Sequence, residues 1–94
     1  MIVVGGEFEV DPEQREEFIA ERLELMRASR GEAGCLEYTF AADPLVPERV
    51  VLYERWESQA ALDAHLAGIS VSTAIAPRSA SIVLYDVAGE RPLR

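Results

Sequence analysis

The chain has a single histidine, His65, and a single tryptophan, Trp56, and these are the residues around which a reaction can be built. An imidazole changes charge near neutral pH, which makes it the usual proton-transfer group. His65 recurs at helical spacing with Leu62, Leu66 and Ile69, on a helix face expected to meet a sheet. Glu54 and Trp56 stand two residues apart on one face of a predicted strand. If that face looks toward the helices, both point at His65, and Glu54–His65 forms a candidate base dyad. A carboxylate bonded to an imidazole fixes its tautomer and raises its basicity. The plainer readings are that His65 is a core or rim histidine bonded to a nearby carboxylate, that Trp56 fills core, and that Glu54 sits at a solvated strand end.

Tyr38 and Phe40, with Leu36, alternate onto one side of another predicted strand and would form an aromatic floor beneath the first helix. The Tyr38 hydroxyl could bond a phenolic substrate, although core packing is the commoner reason for such a row. Arg22 lies between Phe18, Ile19, Leu25 and Met26, near the middle of an apolar helical stripe. Its guanidinium either extends outward along its stem or enters a cavity and meets an anion. The residues expected to line a substrate pocket are thus Phe18, Arg22, Tyr38, Phe40 and Leu62, with His65, Trp56 and Glu54 as the catalytic candidates.

Other chemistries find no support in the sequence. One histidine and one cysteine cannot build a zinc site of the usual ligand spacing. No phosphate loop or dinucleotide fingerprint is present; Gly5-Gly6 lies inside a predicted strand and marks a bulge or a close approach. No serine sits in a nucleophile elbow. What remains is a shape-selective apolar pocket edged by a histidine, a tryptophan and a few hydroxyls, with no metal or cofactor called for.

The elements that must hold this pocket follow from periodicity. Residues 2–10 alternate as a strand. Asp11-Pro12-Glu13-Gln14 reads as a helix start, with Asp11 as cap, Pro12 at the first helical position and Gln14 placed for a capping box. The helix is predicted to run to Arg30, where Gly31 and Gly34 stop it. Strands follow over 35–41 and 49–57, joined through the two-proline connection Ala42-Asp43-Pro44-Leu45-Val46-Pro47-Glu48. Ser58 can cap a second helix to about Gly68, residues 69–77 read as a short helix or a loop, and 81–87 form the last strand. The order is βαββαβ, a ferredoxin-like α+β fold with an antiparallel sheet and both helices on one face.

An antiparallel sheet with one wet face should alternate polar and apolar residues. Here the third strand has Val50, Leu52 and Trp56 on one side and Val51 and Tyr53 on the other. The last strand has Ile82 and Leu84 against Val83, Tyr85 and Val87. Two apolar faces need two covers. The helices supply one, and a second copy of the sheet is expected to supply the other, in a homodimer. The size of the chain agrees: 94 residues make one domain, 1–94, near the lower limit for a self-sufficient core, and a lone cysteine, Cys35, allows no internal disulfide.

The net charge of −8, with no lysine and with arginines spread from Arg15 to Arg94, disfavours nucleic acid as a partner. No apolar run approaches the ~20 residues that span a bilayer. The N-terminus lacks the basic start of a signal peptide, and a lone thiol suits a reducing compartment, so a cytoplasmic location is expected.

Several runs taken in order resemble the antibiotic biosynthesis monooxygenase (ABM) family of the dimeric α+β barrel superfamily. They are Glu16-Glu17-Phe18, Glu32-Ala33-Gly34-Cys35-Leu36-Glu37-Tyr38, Val50-Val51-Leu52-Tyr53-Glu54-Arg55-Trp56-Glu57 and Ala61-Leu62-Asp63-Ala64-His65-Leu66. The resemblance covers nearly the whole chain. It implies a ferredoxin-like homodimer packed sheet to sheet, each protomer holding a pocket between sheet and helices. Some such proteins oxygenate phenolic or quinol substrates, including polyketide intermediates, without metal, flavin or haem. Others degrade haem, isomerise small sugar-derived ligands or have no assigned activity. On this resemblance His65 is the base or proton shuttle, Trp56 a wall and Tyr38 a positioning group. The haem-degrading branch uses an asparagine on its first strand; this chain contains none, and Gly6 falls at that position, which argues against haem degradation. The family commonly continues after the histidine with a longer, aromatic-bearing helix, whereas Gly68-Ile69-Ser70-Val71-Ser72-Thr73 is short and lacks aromatics. The leading expectation is a cofactor-independent monooxygenase for a small phenolic or quinol compound. The alternatives are a non-catalytic dimeric module that binds an apolar small molecule, and a cofactor-free isomerase using the same histidine.

Overall fold

The third strand organises the sheet because its side chains alternate cleanly between two environments. Val50, Leu52, Glu54 and Trp56 are buried, while Val51 and Tyr53 between them are exposed. A computed structural model describes residues 1–70 and 73–94. Four strands, β1 (Ile2–Glu9), β2 (Cys35–Ala42), β3 (Arg49–Trp56) and β4 (Ser79–Asp86), form one antiparallel sheet in the order β2-β3-β1-β4. With α1 (Arg15–Ala20), α2 (Leu23–Arg30) and α3 (Gln59–Gly68) on one face, this is the ferredoxin-like α+β fold expected from the sequence. The core lies between that face and the helices and is built on Val4, Val10, Phe18, Tyr38, Phe40, Val50, Leu52, Trp56 and Leu62. Among the described residues no helix is long and apolar enough to cross a membrane.

The first helix is not the continuous element that its periodicity predicts. Asp11 caps a short 3-10 turn, Pro12–Gln14, by accepting from the Glu13 N–H at 2.9 Å; the Gln14 side chain has no capping bond. The helix then breaks between α1 and α2. Arg22 has φ −104° and ψ 3°, and its N–H bonds to the Ile19 carbonyl rather than to that of Phe18. The freed Phe18 carbonyl accepts instead from Arg22 Nη1 at 2.8 Å. A side chain thus satisfies a backbone acceptor that the break would otherwise leave orphaned.

Strand β2 carries a bulge that alternation alone does not reveal. Cys35 pairs with Trp56 and Glu37 with Arg55, so Leu36 is the extra residue. Tyr38 and Phe40 face the helices as expected, but Leu36 leaves the aromatic row and is exposed. Cys35 instead packs against the core beside the register position of Trp56. Because β2 is an edge strand, α2 covers its outer rim: Arg30 Nε donates to the Tyr38 carbonyl at 2.9 Å, and the Phe40 N–H meets Met26 Sδ at 3.5 Å. Strand β1 has no bulge at Gly5-Gly6; its pairing runs unbroken. Gly6 answers a close approach, since a Cβ there would lie 3.2 Å from Ile82 Cγ1.

The second helix begins as expected, with Ser58 Oγ accepting from the Ala61 N–H at 3.1 Å. The expectation of a short helix or loop over 69–77, and the short run 68–73 that lacks aromatics, fall partly on Val71 and Ser72, which lie outside the described residues. Residues 69–70 and 73–78 carry no helix, and Ile75 is buried in the core. Glu21, at the helix break, holds this segment by accepting from the N–H groups of Ala74 and Ile75 at 2.7 and 3.1 Å.

Gly34 closes the turn from α2 into β2. It has φ +81°, a Cβ there would stand 2.6 Å from Ala61 Cβ on α3, and its carbonyl accepts from the Glu57 N–H at 2.8 Å. Left-handed backbone at a non-glycine residue costs about 1–3 kcal/mol, and the clash adds to it. Gly34→Ala is therefore expected to lower unfolding free energy by at least about 1–3 kcal/mol in urea denaturation.

Candidate active site

Between the helix-facing side of the sheet and helices α2 and α3 lies a cavity of about 430 Å³. Its walls are mostly apolar, with Leu25, Leu52, Leu62 and Phe40 among them, and it opens beside β4, where Ile82 and Leu84 remain partly exposed. Among the described residues, polar groups reach it at a few points: Arg22, Tyr38, Glu54, His65 and Thr73. Such a site is concave and apolar with a small number of placed polar groups, the usual form of a small-molecule site.

His65 is 2 % exposed and lies on the face of α3 that meets the sheet. Its partner is Glu32 rather than Glu54. Nδ1 stands 3.0 Å from Glu32 Oε1 and 3.2 Å from Oε2, so the dyad expected with Glu54 is not the one formed. Glu32 sits in the turn between α2 and β2, pinned by its N–H to the Ser29 carbonyl and by its carbonyl to the Cys35 N–H. A carboxylate at Nδ1 keeps the proton on that nitrogen and leaves Nε2 as the acceptor, with no protein partner among the described residues.

Glu54 is engaged elsewhere. Its Oε1 accepts from Trp56 Nε1 at 2.9 Å, the i,i+2 pairing that one strand face allows. The carboxyl is 6 % exposed, and burial pushes its pKa up, an effect partly offset by the Trp56 bond and the nearby His65. Trp56, expected as a pocket wall, is completely buried behind the lining residues. Its ring stacks 4.7 Å from the His65 ring at a 37° tilt, so it backs the imidazole rather than facing a ligand. Tyr38 also packs near His65, with ring centroids 5.2 Å apart, and its ring meets that of Trp56 at 6.5 Å edge to face. Burial, then the carboxylates of Glu54 and Glu32, raise the phenol pKa, so Tyr38 stays protonated at neutral pH and can donate but not act as a base.

Of the residues predicted to line the pocket, Arg22, Tyr38, Phe40 and Leu62 do so, as do His65 and Glu54. Phe18 does not; it is fully buried beneath the Arg22 guanidinium, whose carbon lies 3.4 Å from the ring centre. Arg22 is 8 % exposed and does not extend outward along its stem. Burial lowers its pKa, with Glu21 opposing. Glu32 is a functional candidate that no spacing along the chain ties to His65; the chain reversal at Gly34 brings the two together. Among the described residues no three His, Cys, Asp or Glu side chains converge as a metal ion would need.

Residues 1–76 match the family described as "Antibiotic biosynthesis monooxygenase". The chain belongs to this family. It is 33% identical over 98 residues to the uncharacterised protein sll1783 of Synechocystis sp., covering 98% of this chain and 67% of that one. It is 35% identical over 65 residues to YcnE of Bacillus subtilis, named provisionally as a monooxygenase, covering 69% of this chain and 68% of that one. A solved structure from Deinococcus radiodurans, provisionally assigned to the antibiotic biosynthesis monooxygenases, superposes with a TM-score of 0.87. That match covers 100% of this chain and 99% of the other at 22% identity, and it shows that the two share a fold. The ABM match includes β1 to α3 and thus every element that carries Glu32, Glu54 and His65.

The buried carboxyl of this ABM chain has a measurable consequence. A raised pKa means that the folded state holds the Glu54 proton more tightly than the unfolded state. The stability it contributes is complete below the unfolded value of about 4.3 and is lost as pH rises through the folded value. Glu54→Gln keeps an acceptor for Trp56 and cannot ionise. Its stability relative to the wild type should therefore rise between pH 4 and pH 8 in denaturant titrations, and a pH-independent difference would contradict a desolvated carboxyl.

Proposed function

We propose that this protein is a cofactor-independent monooxygenase that oxidises a small phenolic or quinol substrate with dioxygen in the cavity between sheet and helices. The observation that carries the reading is the Glu32–His65 pair, a buried imidazole oriented by a carboxylate at the wall of an apolar cavity. His65 Nε2 takes the phenolic proton, and Glu32 steadies the imidazolium that results. The substrate anion passes one electron to dioxygen; the superoxide and substrate radical so formed combine at a ring carbon as a peroxide. Loss of water then leaves a new carbonyl, so one oxygen atom enters the product and the other leaves as water. The protein supplies a base, an orientation and a dry enclosure, with Tyr38 donating a hydrogen bond and Phe40 and Leu62 bounding the ring. Trp56 backs the imidazole with its ring, and Glu54, at the cavity wall, anchors that ring through the indole N–H.

Oxygen uptake by the metal-free protein across hydroquinones and anthrone-like phenols tests this reading. Uptake should exceed autoxidation, and His65→Ala should lower the rate by about 10²–10⁴-fold, the usual share of general-base catalysis. Uptake at the autoxidation rate with every substrate, or full activity in His65→Ala, would refute it. Proton exchange between a substrate and solvent without oxygen uptake would point to an isomerase, and ligand binding without either would point to a binding module.

The working form in this reading is a cytoplasmic homodimer. The sheet face opposite the helices carries Val51, Tyr53, Val83 and Tyr85, each at least 37% exposed, which is a large apolar surface to leave in water. Packing that face against a second copy buries it on a two-fold axis. Light scattering at micromolar concentration should give twice the 10.4 kDa of one chain, and Tyr53→Glu should shift the mass toward one chain. A monomeric wild-type mass would overturn the dimer.

A further inference from the structure

Arg22 is a cation placed at the wall of an apolar cavity, and among the described residues most of its donors have no partner. A guanidinium has five N–H donors and no means of losing its charge at ordinary pH. Only Nη1 is bonded, to the Phe18 carbonyl at 2.8 Å; Nε and Nη2 have no acceptor among the described residues. The nearest carboxylate, Glu21, lies 3.9 Å from Nη1, beyond hydrogen-bond range, and both of its oxygens already accept from Ala74 and Ile75. The guanidinium carbon lies over the Phe18 ring at 3.4 Å, with Phe40 at 5.7 Å, which holds the head at the cavity wall. No Arg22 nitrogen is both fully buried and without a partner, so Nε and Nη2 reach water at the cavity wall, and an arriving anion would replace that water with charge-assisted bonds.

We infer that the cavity takes an aromatic acid: a flat ring whose carboxylate pairs with the Arg22 guanidinium while its phenolic hydroxyl lies toward His65. The inference rests on the reading of this cavity as the substrate site and specifies the substrate class. Arginine presents a planar fork that matches a carboxylate with two parallel bonds. Burial alone depresses the Arg22 pKa, and a bound anion would reverse that. A singly charged group fits better than a phosphate dianion, because among the described lining residues Arg22 is the one permanent cation.

The test compares 1-hydroxy-2-naphthoate with its neutral isostere 1-hydroxy-2-naphthamide by titration calorimetry at low salt. The wild type should bind the acid about tenfold or more tightly than the amide, as expected for a charge-assisted pair. Arg22→Gln should bring the two within about twofold of each other, chiefly by weakening the acid, and Arg22→Lys should keep part of the preference. Equal binding of acid and amide by the wild type overturns the inference even if Arg22→Gln fails to fold, and so does an acid preference that survives in a folded Arg22→Gln. Binding of neither probe overturns the cavity reading and the inference with it, an outcome distinct from equal binding of both.

Discussion

The hydrogen bond that His65 Nδ1 donates to the Glu32 carboxylate is the contact on which the arrangement of the site depends. It joins two elements 33 positions apart, the turn after α2 and the inner face of α3. Helix α3 lays Leu62 and His65 against the sheet, and the turn after α2 fixes it at several points. Gly34 presses against Ala61, its carbonyl accepts from Glu57, and Glu32 reaches His65. The left-handed backbone at Gly34 makes the reversal tight enough for all three contacts to form together. Loosen that turn and the imidazole loses its orientation, the cavity loses a wall, and Trp56 loses the ring stacked on it.

Around that contact the protein buries three groups that would ordinarily stay in water. Each is handled differently. His65 is paired with the Glu32 carboxylate and stacked on Trp56. Glu54 is given one donor, the Trp56 indole, and otherwise meets the penalty by favouring its protonated form. Arg22 cannot neutralise itself and is held by the face of Phe18 and by one carbonyl. The break between α1 and α2 is what makes this possible, because it frees the Phe18 carbonyl for the guanidinium. A charge at the cavity wall and a break in the helix are therefore one structural event.

Much of this was legible in the residues. The alternation of Val50, Leu52, Glu54 and Trp56 assigned β3 its faces, the spacing of Leu62 and His65 turned that histidine inward, and the cap at Ser58 opened α3 at the right residue. The errors came where a local rule met a competing long-range one. The bulge at Leu36 is required by pairing with β3, not by the composition of β2, so simple alternation carried Leu36 onto the wrong side. The continuous helix over 12–30 was a fair reading of its apolar stripe, but Arg22 within that stripe had to find an acceptor, and the backbone gave one up.

By itself the sequence determined the periodicities, and hence the elements, their order and the two apolar faces of the sheet, since these depend on neighbours two to four residues apart. It also limited the chemistry to one imidazole. Which carboxylate serves that imidazole was decided only in three dimensions. Glu54 and Glu32 are equally acidic by type, but Glu54 lies on the same strand face as an indole N–H that claims it. Glu32 is carried to Nδ1 by a turn whose geometry depends on packing against α3. Contacts between residues distant in sequence follow from how elements pack, and no spacing along the chain encodes that.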